Sequence, residues 1–240
     1  MNFFSLFKRN FLYKFKKKIN IDEDNIEKKN LDQLFEYYKS DKSNKKHGFS
    51  ELYTQNLIEL RNKKTNILEV GSYAGSSAAA FVKYFPKSSI YCFDINISKF
   101  IYSSKNIHVF GLDINNIKKV ENVIKEIKRK GNFENFDLII DDGSHYLSDI
   151  LFTLKFLFKH LSSKGQYVIE DFMHPNYYEY NKDIDHIFID RVLKNLQQKK
   201  IFQSQILDKE DQIYLHKNIN TIEISKGNLK DSDICFINKI

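Results

Sequence analysis

Four carboxylates and one histidine stand in an arrangement that suits a divalent cation with a base beside it. Asp141 and Asp142 end the apolar run Phe136–Ile140, and His145 follows within the sequence DDGSH. Glu170 and Asp171 end a second apolar run, Gly165–Ile169, with the glutamate 25 residues after the histidine. Carboxylate oxygens are ligands for hard cations. A neutral imidazole, reference pKa about 6.5, can take a proton near neutral pH. A non-haem iron centre fits less well, because its facial triad needs two histidines and one carboxylate. The plain alternative is that these acids cap helices or pair with lysines, and that the histidine is solvated.

The elements that must position these groups can be read from the spacing between them. Leu147, Ile150, Leu151, Leu154, Leu157, Phe158 and Leu161 recur every three or four residues, the pattern of an amphipathic helix. Strand, helix and strand of this length form a right-handed crossover with parallel strands. Both acidic clusters are then expected at the carboxyl edge of one sheet, the edge where open α/β sheets bind ligands.

Upstream, Asn66–Val70 reads as a strand carrying Glu69, followed by the turn Gly71-Ser72-Tyr73-Ala-Gly75-Ser76 and a small-residue helix to about Tyr84. Ser89–Phe93 reads as the next strand and ends in Asp94, 23 residues after Gly71. Asn106–Phe110 is a third strand, with Asp113 just beyond it, and Ile114–Lys130 a helix that Gly131 is placed to end. This is a nucleotide-type half-domain: the glycine turn admits a ligand to the backbone, and an acid at the next strand end can take both ribose hydroxyls. The turn is neither a dinucleotide fingerprint nor a phosphate loop. A ligand with ribose and no pyrophosphate fits it, and S-adenosylmethionine (SAM) is such a ligand. Asp94 and Asp113 are then placed for ribose and adenine.

The remaining chain is less specific. Residues 1–20 are basic and aromatic, with Phe4, Phe7, Phe11 and Phe15 near one helical face among Lys8, Arg9, Lys14, Lys16, Lys17 and Lys18. This is no secretory signal. It suits either peripheral contact of residues 1–18 with an acidic inner leaflet or packing on the domain or on the partner of a homo-oligomer. Ile21–Asn30 reads as a linker, and Leu31–Tyr38 as a helix. A polar loop with Asp41, Lys42, His47, Phe49 and Tyr53 is a candidate cover for a site. His174, Pro175, Tyr177, Tyr178 and Tyr180 form a candidate acceptor loop, and Ile184–Leu196 a helix. Gln212–His216, Thr221–Ser225 and Ile234–Asn238 read as strands. The organisation expected is an appendage over 1–60 and one α/β domain over 61–240.

At 240 residues, with 42% hydrophobic and 15% aromatic residues, the chain can fill a core, and no run is long enough to span a bilayer. The net charge of +7 comes from lysines scattered over the chain, which gives no basis for a nucleic-acid partner. Cys92 and Cys235 lie in expected strands without metal-ligand spacing and suit a reducing, cytoplasmic compartment.

The segments LEVGSYAGSS, YCFDINI, FDLIIDDGSH and YVIEDF together resemble the class I SAM-dependent methyltransferases. More narrowly, they resemble the metal-dependent sugar O-methyltransferases of macrolide tailoring and the related cephalosporin-hydroxylase-like group. The resemblance covers about 65–240 and does not include the large N-terminal domain of the macrolide enzymes. It implies a Rossmann-like, mostly parallel sheet with an antiparallel C-terminal hairpin and helices on both faces. It implies Mg2+ (or Mn2+) on Asp142, Glu170 and Asp171, with His145 as general base. It implies SAM on Glu69, Gly71, Ser72, Tyr73, Gly75, Ser76, Asp94, Asp113 and Asp141, although capping or turn formation suits Asp141 as well. Tyr73 departs from the family pattern, which has glycine there. The expected activity is O-methylation of a sugar or glycan precursor. The rivals are metal-independent transfer to a small molecule and a non-catalytic basic module on the same fold.

Overall fold

The computed structural model describes residues 3–26, 29–173 and 188–240. The candidate acceptor loop with His174, Pro175 and Tyr177, Tyr178 and Tyr180 lies outside them. The chain forms two compact units, Met1–Phe133 and Glu134–Ile240.

The first unit is built on three parallel strands, β2 (Asn66–Val70), β3 (Ser89–Asp94) and β5 (Ile107–Gly111), with β3 in the middle. Their register sets Val70 beside Phe93 and Phe93 beside Phe110, so the three carboxyl ends finish level. Between β2 and β3 runs α4 (Ser76–Tyr84), whose Ala78, Ala79, Ala80 and Phe81 are fully buried. Small side chains let this helix lie close to its neighbours on all sides, as expected of a helix apolar around its circumference. Ahead of the strands come α1 (Phe3–Phe15), the two-residue strand β1 (Ile19–Asn20), α2 (Leu31–Tyr37) and α3 (Ser50–Leu57). Phe35, Tyr53 and Phe81 join α2, α3 and α4 in a buried ring cluster, with centroids 5.2–6.4 Å apart. Such aromatic pairs contribute about 1 kcal/mol each beyond their buried area.

Several sequence expectations change here. Ile21 is fully buried, and β1 pairs in parallel with β4 (Tyr102–Ser103), so the segment read as a linker is anchored at its start. The polar loop is folded inward: Lys42 and Phe49 are buried, and Asp32 accepts from Asn44 N and Ser50 Oγ at 2.7 Å each. The helix α5 (Ile117–Gly131) keeps Gly131 as its last residue. The left-handed cap is Asn132 (φ 52°), because an asparagine tolerates that conformation nearly as well as glycine. Ile117 is exposed at the first turn of α5, and Val120, Ile124 and Ile127 are buried.

Among the contacts that orient α1 on its unit, one is especially close. Asn10 Nδ2 donates to Gly111 O at 3.0 Å, and a methyl group added at Gly111 would come within 1.7 Å of Asn10 Oδ1. Gly111→Ala is therefore expected to push the Asn10 side chain out and remove a bond worth about 1 kcal/mol. The check is limited trypsin digestion. Cleavage at Lys14–Lys18 should accelerate, in Gly111→Ala and in Asn10→Ala alike, while the melting temperature of the remainder changes little.

In the second unit β6 (Phe136–Asp141) and β7 (Leu161–Glu170) are parallel neighbours, joined by α6 (Leu147–Leu157). The helix buries Leu147, Ile150, Leu151, Leu154 and Leu157, the stripe its spacing predicts. The helix α7 (Ile189–Gln197) follows, and its Val192, Leu193 and Leu196 are buried. Gln212–His216, read as a strand, lies within α8 (Lys209–Asn218). Asp208 caps this helix by accepting from Asp211 N at 2.9 Å, and its first turn is acidic and its last basic. Capping and dipole together outweigh the strand preference of Ile213 and Tyr214. The strands β8 (Ile219–Lys226) and β9 (Asp233–Lys239) form the expected hairpin, with β9 antiparallel to β7. Cys92 and Cys235 are both free and buried. Among the described residues no helix is long and apolar enough to cross a membrane.

Candidate active site

In the first unit the glycine turn leaves β2 through a run of left-handed residues. Gly71 has φ 87°, Tyr73 φ 40° and Gly75 φ 80°. Gly75 is the N-cap of α4, and a side chain there would meet the buried Phe100 ring at 2.4–2.7 Å. Only glycine serves at that point. Tyr73 adopts the same left-handed region with its side chain turned to solvent, which shows why glycine suits this position and how tyrosine is tolerated.

Asp94, at the end of β3, accepts from Tyr73 N at 2.7 Å and from Asn96 N at 2.5 Å. The acid is thereby fixed beside the turn, as the nucleotide-type reading requires. Asp113 lies two residues past Gly111, the register partner of Asp94, and accepts from Asn115 N at 3.1 Å. Glu69 lies near the end of β2, before the turn. It is fully buried, accepting from Ser77 Oγ at 2.5 Å and from the Cys92 thiol at 3.9 Å. Burial, with the Glu69 carboxylate next, pushes that thiol well above its usual range and keeps the proton on sulfur. Glu69 thus ties the first turn of α4 to β2 and β3. Ser72 is buried in the turn, and Ser76 starts the helix half-exposed.

In the second unit two of the four acids come together with the histidine, and the other two are buried. Asp141 is buried and turned to Thr153 Oγ1 and Tyr167 OH, and burial raises its pKa to about 6. One residue on, the chain reaches the surface. Asp142, His145 and Asp171 are each half-buried and offer ligand atoms that all lie within 4.8 Å of one another. His145 Nε2 is 3.8 Å from Asp142 Oδ1. His145 and Asp171 both have positive φ, 59° and 49°. His145 lies in the turn before α6, which begins at Leu147. Glu170, buried at the end of β7, is not one of that trio. Because Asp141 pairs with Ile169, the parallel register sets Asp142 beside Glu170 at the same strand ends.

Sequence reasoning missed Asp233. The pairing of Glu170 with Ile234 sets Asp233 across from Asp171, whose N–H donates to Asp233 O at 2.7 Å. Asp233 also receives Lys226 Nζ at 3.1 Å. Burial, opposed by Lys226 and assisted by Asp171, raises its pKa. Two hard oxygen donors with an imidazole alongside fit a Mg2+- or Mn2+-type ion.

No protein-family model matches the chain. Curated relatives include mycinamicin VI 2''-O-methyltransferase of Micromonospora griseorubida, 30% identical over 152 residues, 60% of this chain and 36% of that protein. L-olivosyl-oleandolide 3-O-methyltransferase of Streptomyces antibioticus is 31% identical over 150 residues, 59% and 36% of the two chains. Demethylmacrocin O-methyltransferase of Streptomyces fradiae is 28% identical over 151 residues, 60% and 36%. The match thus spans about a third of the length of each relative. Among solved structures, MycE methyltransferase from the mycinamycin biosynthetic pathway, in complex with Mg and SAH, superposes with a TM-score of 0.68 at 22% identity. The match covers 88% of this chain and 55% of that one. The chain therefore has the class I methyltransferase fold, and the relatives it matches in sequence are O-methyltransferases, among them those of mycinamicin, oleandolide and macrocin.

Proposed function

We propose that the chain is a SAM-dependent, divalent-metal-assisted O-methyltransferase that acts on a hydroxyl of a sugar or glycan precursor. The observation that carries this reading is the convergence of Asp142, His145 and Asp171 within 4.8 Å. The printed activities of the curated relatives, each an O-methyltransferase named for a glycosylated macrolide or its precursor, support the acceptor class.

The first unit binds the donor. Its glycine turn leaves backbone room for the ligand, and Asp94 takes the ribose hydroxyls with the carboxylate that already holds Tyr73 N. Asp113 serves the adenine side. The second unit prepares the acceptor. Asp142 and Asp171 would hold Mg2+ or Mn2+, with Glu170 at the adjoining strand end as the third carboxylate of the set. When bound, this cation orients neighbouring hydroxyls and lowers the pKa of the target. His145 takes the departing proton, so the hydroxyl oxygen attacks the methyl carbon of SAM as a stronger nucleophile and S-adenosylhomocysteine leaves with the electrons of the broken S–C bond. Asp171 is held in place through its N–H on Asp233 O.

The test is incubation of the protein with methyl-labelled SAM, Mg2+ and nucleotide-sugar or glycan extracts. Label is expected in a carbohydrate fraction and is expected to vanish on EDTA treatment, then return with excess Mg2+ or Mn2+. Transfer that proceeds undiminished in EDTA would replace the mechanism with metal-independent transfer. Failure to bind SAM at all would leave a non-catalytic module on this fold.

A further inference from the structure

The helix α1 sits on its unit in the reverse of the usual orientation. A surface helix ordinarily turns its apolar stripe to the core and its polar face to water. Here the polar side makes the attachment. Arg9 donates to Ile95 O at 3.2 Å, Asn10 to Gly111 O at 3.0 Å, and Lys16, just past the helix, to Ser98 O at 2.8 Å. Tyr13 adds an edge contact to Phe100, centroids 6.4 Å apart. The opposite side carries the rings. Phe7, Phe11 and Phe15 are 61%, 53% and 75% exposed, and Phe4 is 77% exposed. At 100° per residue these four lie within an arc of about 80°. Lys8 and Lys14 flank the arc, one on each side, and Lys17 follows at its end. The first acidic residue of the chain is Asp22.

We propose that this face docks the protein on an anionic membrane surface. The rings enter the boundary between headgroups and acyl chains, and the flanking lysines meet lipid phosphates. Charge selects this occupant over a second copy of the chain. Two such faces set stripe to stripe would bring Lys8 and Lys14 of each against the lysines of the other, with no acid in the segment to offset them. The proposal stands independently of the donor and metal assignments.

The experiment is co-sedimentation of the full chain with vesicles of phosphatidylcholine and phosphatidylglycerol in equal parts, compared with phosphatidylcholine alone. Binding is expected on the acidic vesicles and should fall steeply as salt is raised. Each ring removed should weaken partition about tenfold, so Phe11→Ser with Phe15→Ser loses roughly a hundredfold. Lys14→Glu should lose roughly fivefold or more. Circular dichroism and SAM binding should stay unchanged in these variants, because the altered side chains point away from the unit. Absence of binding to acidic vesicles would overturn the proposal, and so would equal binding by the double phenylalanine variant. A lipid-free dimer, lost in that variant and accompanied by no vesicle binding, would assign the face to self-association instead.

Discussion

His145→Gln is expected to lower kcat by about 10²–10⁴ while the affinity for Mn2+ stays nearly constant. The glutamine side chain cannot accept a proton near neutral pH, so the change removes base catalysis. The two observables separate the roles open to an imidazole whose Nε2 stands 3.8 Å from Asp142 Oδ1. A base lost from beside the ion leaves metal binding intact; a ligand lost from the ion does not. Steady-state kinetics and isothermal titration with Mn2+ on the same preparation decide the matter. Asp142→Asn provides the contrast, with metal affinity and kcat expected to fall together. Should His145→Gln weaken Mn2+ as severely as Asp142→Asn, the histidine belongs to the coordination sphere and the base must be sought elsewhere.

Gly75→Ala is expected to remove most donor binding. At φ 80° a side chain costs about 1–2 kcal/mol. Its methyl group would also meet the buried Phe100 ring at 2.4–2.7 Å, an overpacking worth about 1–3 kcal/mol. The turn must shift to relieve both, carrying with it the Tyr73 N–H that fixes Asp94. A total of about 3 kcal/mol, expressed in the bound state, corresponds to roughly a hundredfold weaker affinity. Titration with S-adenosylhomocysteine measures it. Two further variants locate the cause. Combining Gly75→Ala with Phe100→Leu should recover part of the loss, and Tyr73→Gly should bind as the natural chain does.

The crossover from Phe136 to Phe172 was legible because its signals are local. Apolar runs ending in acids and a stripe at helical spacing fix strand, helix and strand, and the parallel register then brings Asp142 and Asp171 together. The glycine turn was legible for the same reason, since three of its positions need left-handed backbone. What could not be read depended on distant pairing or on competing local preferences. Asp233 joins Asp171 only through the antiparallel return of β9, 62 residues later, and nothing in its own neighbourhood names that partner. Glu69 is hydrogen-bonded to Ser77 and Cys92 in the core, partners that no spacing rule states. Gln212–His216 alternates like a strand, and the capping aspartate four residues before it decides the outcome. In α1 the period placed four rings on one face, but whether that face turned in or out rested on Asn10 and Arg9 finding backbone carbonyls far along the chain.

His145 and Asp171 both hold backbone conformations that residues with a Cβ seldom adopt. Each such position costs on the order of 1 kcal/mol or more, and a glycine would relieve it. Folding stability and chemistry therefore pull in opposite directions at two of the three convergent groups. Sequence drift that favoured a sturdier chain would replace His145 and Asp171, the proposed base and one proposed cation ligand, first. Thermostabilising selections on this protein would need activity as a second criterion to retain either.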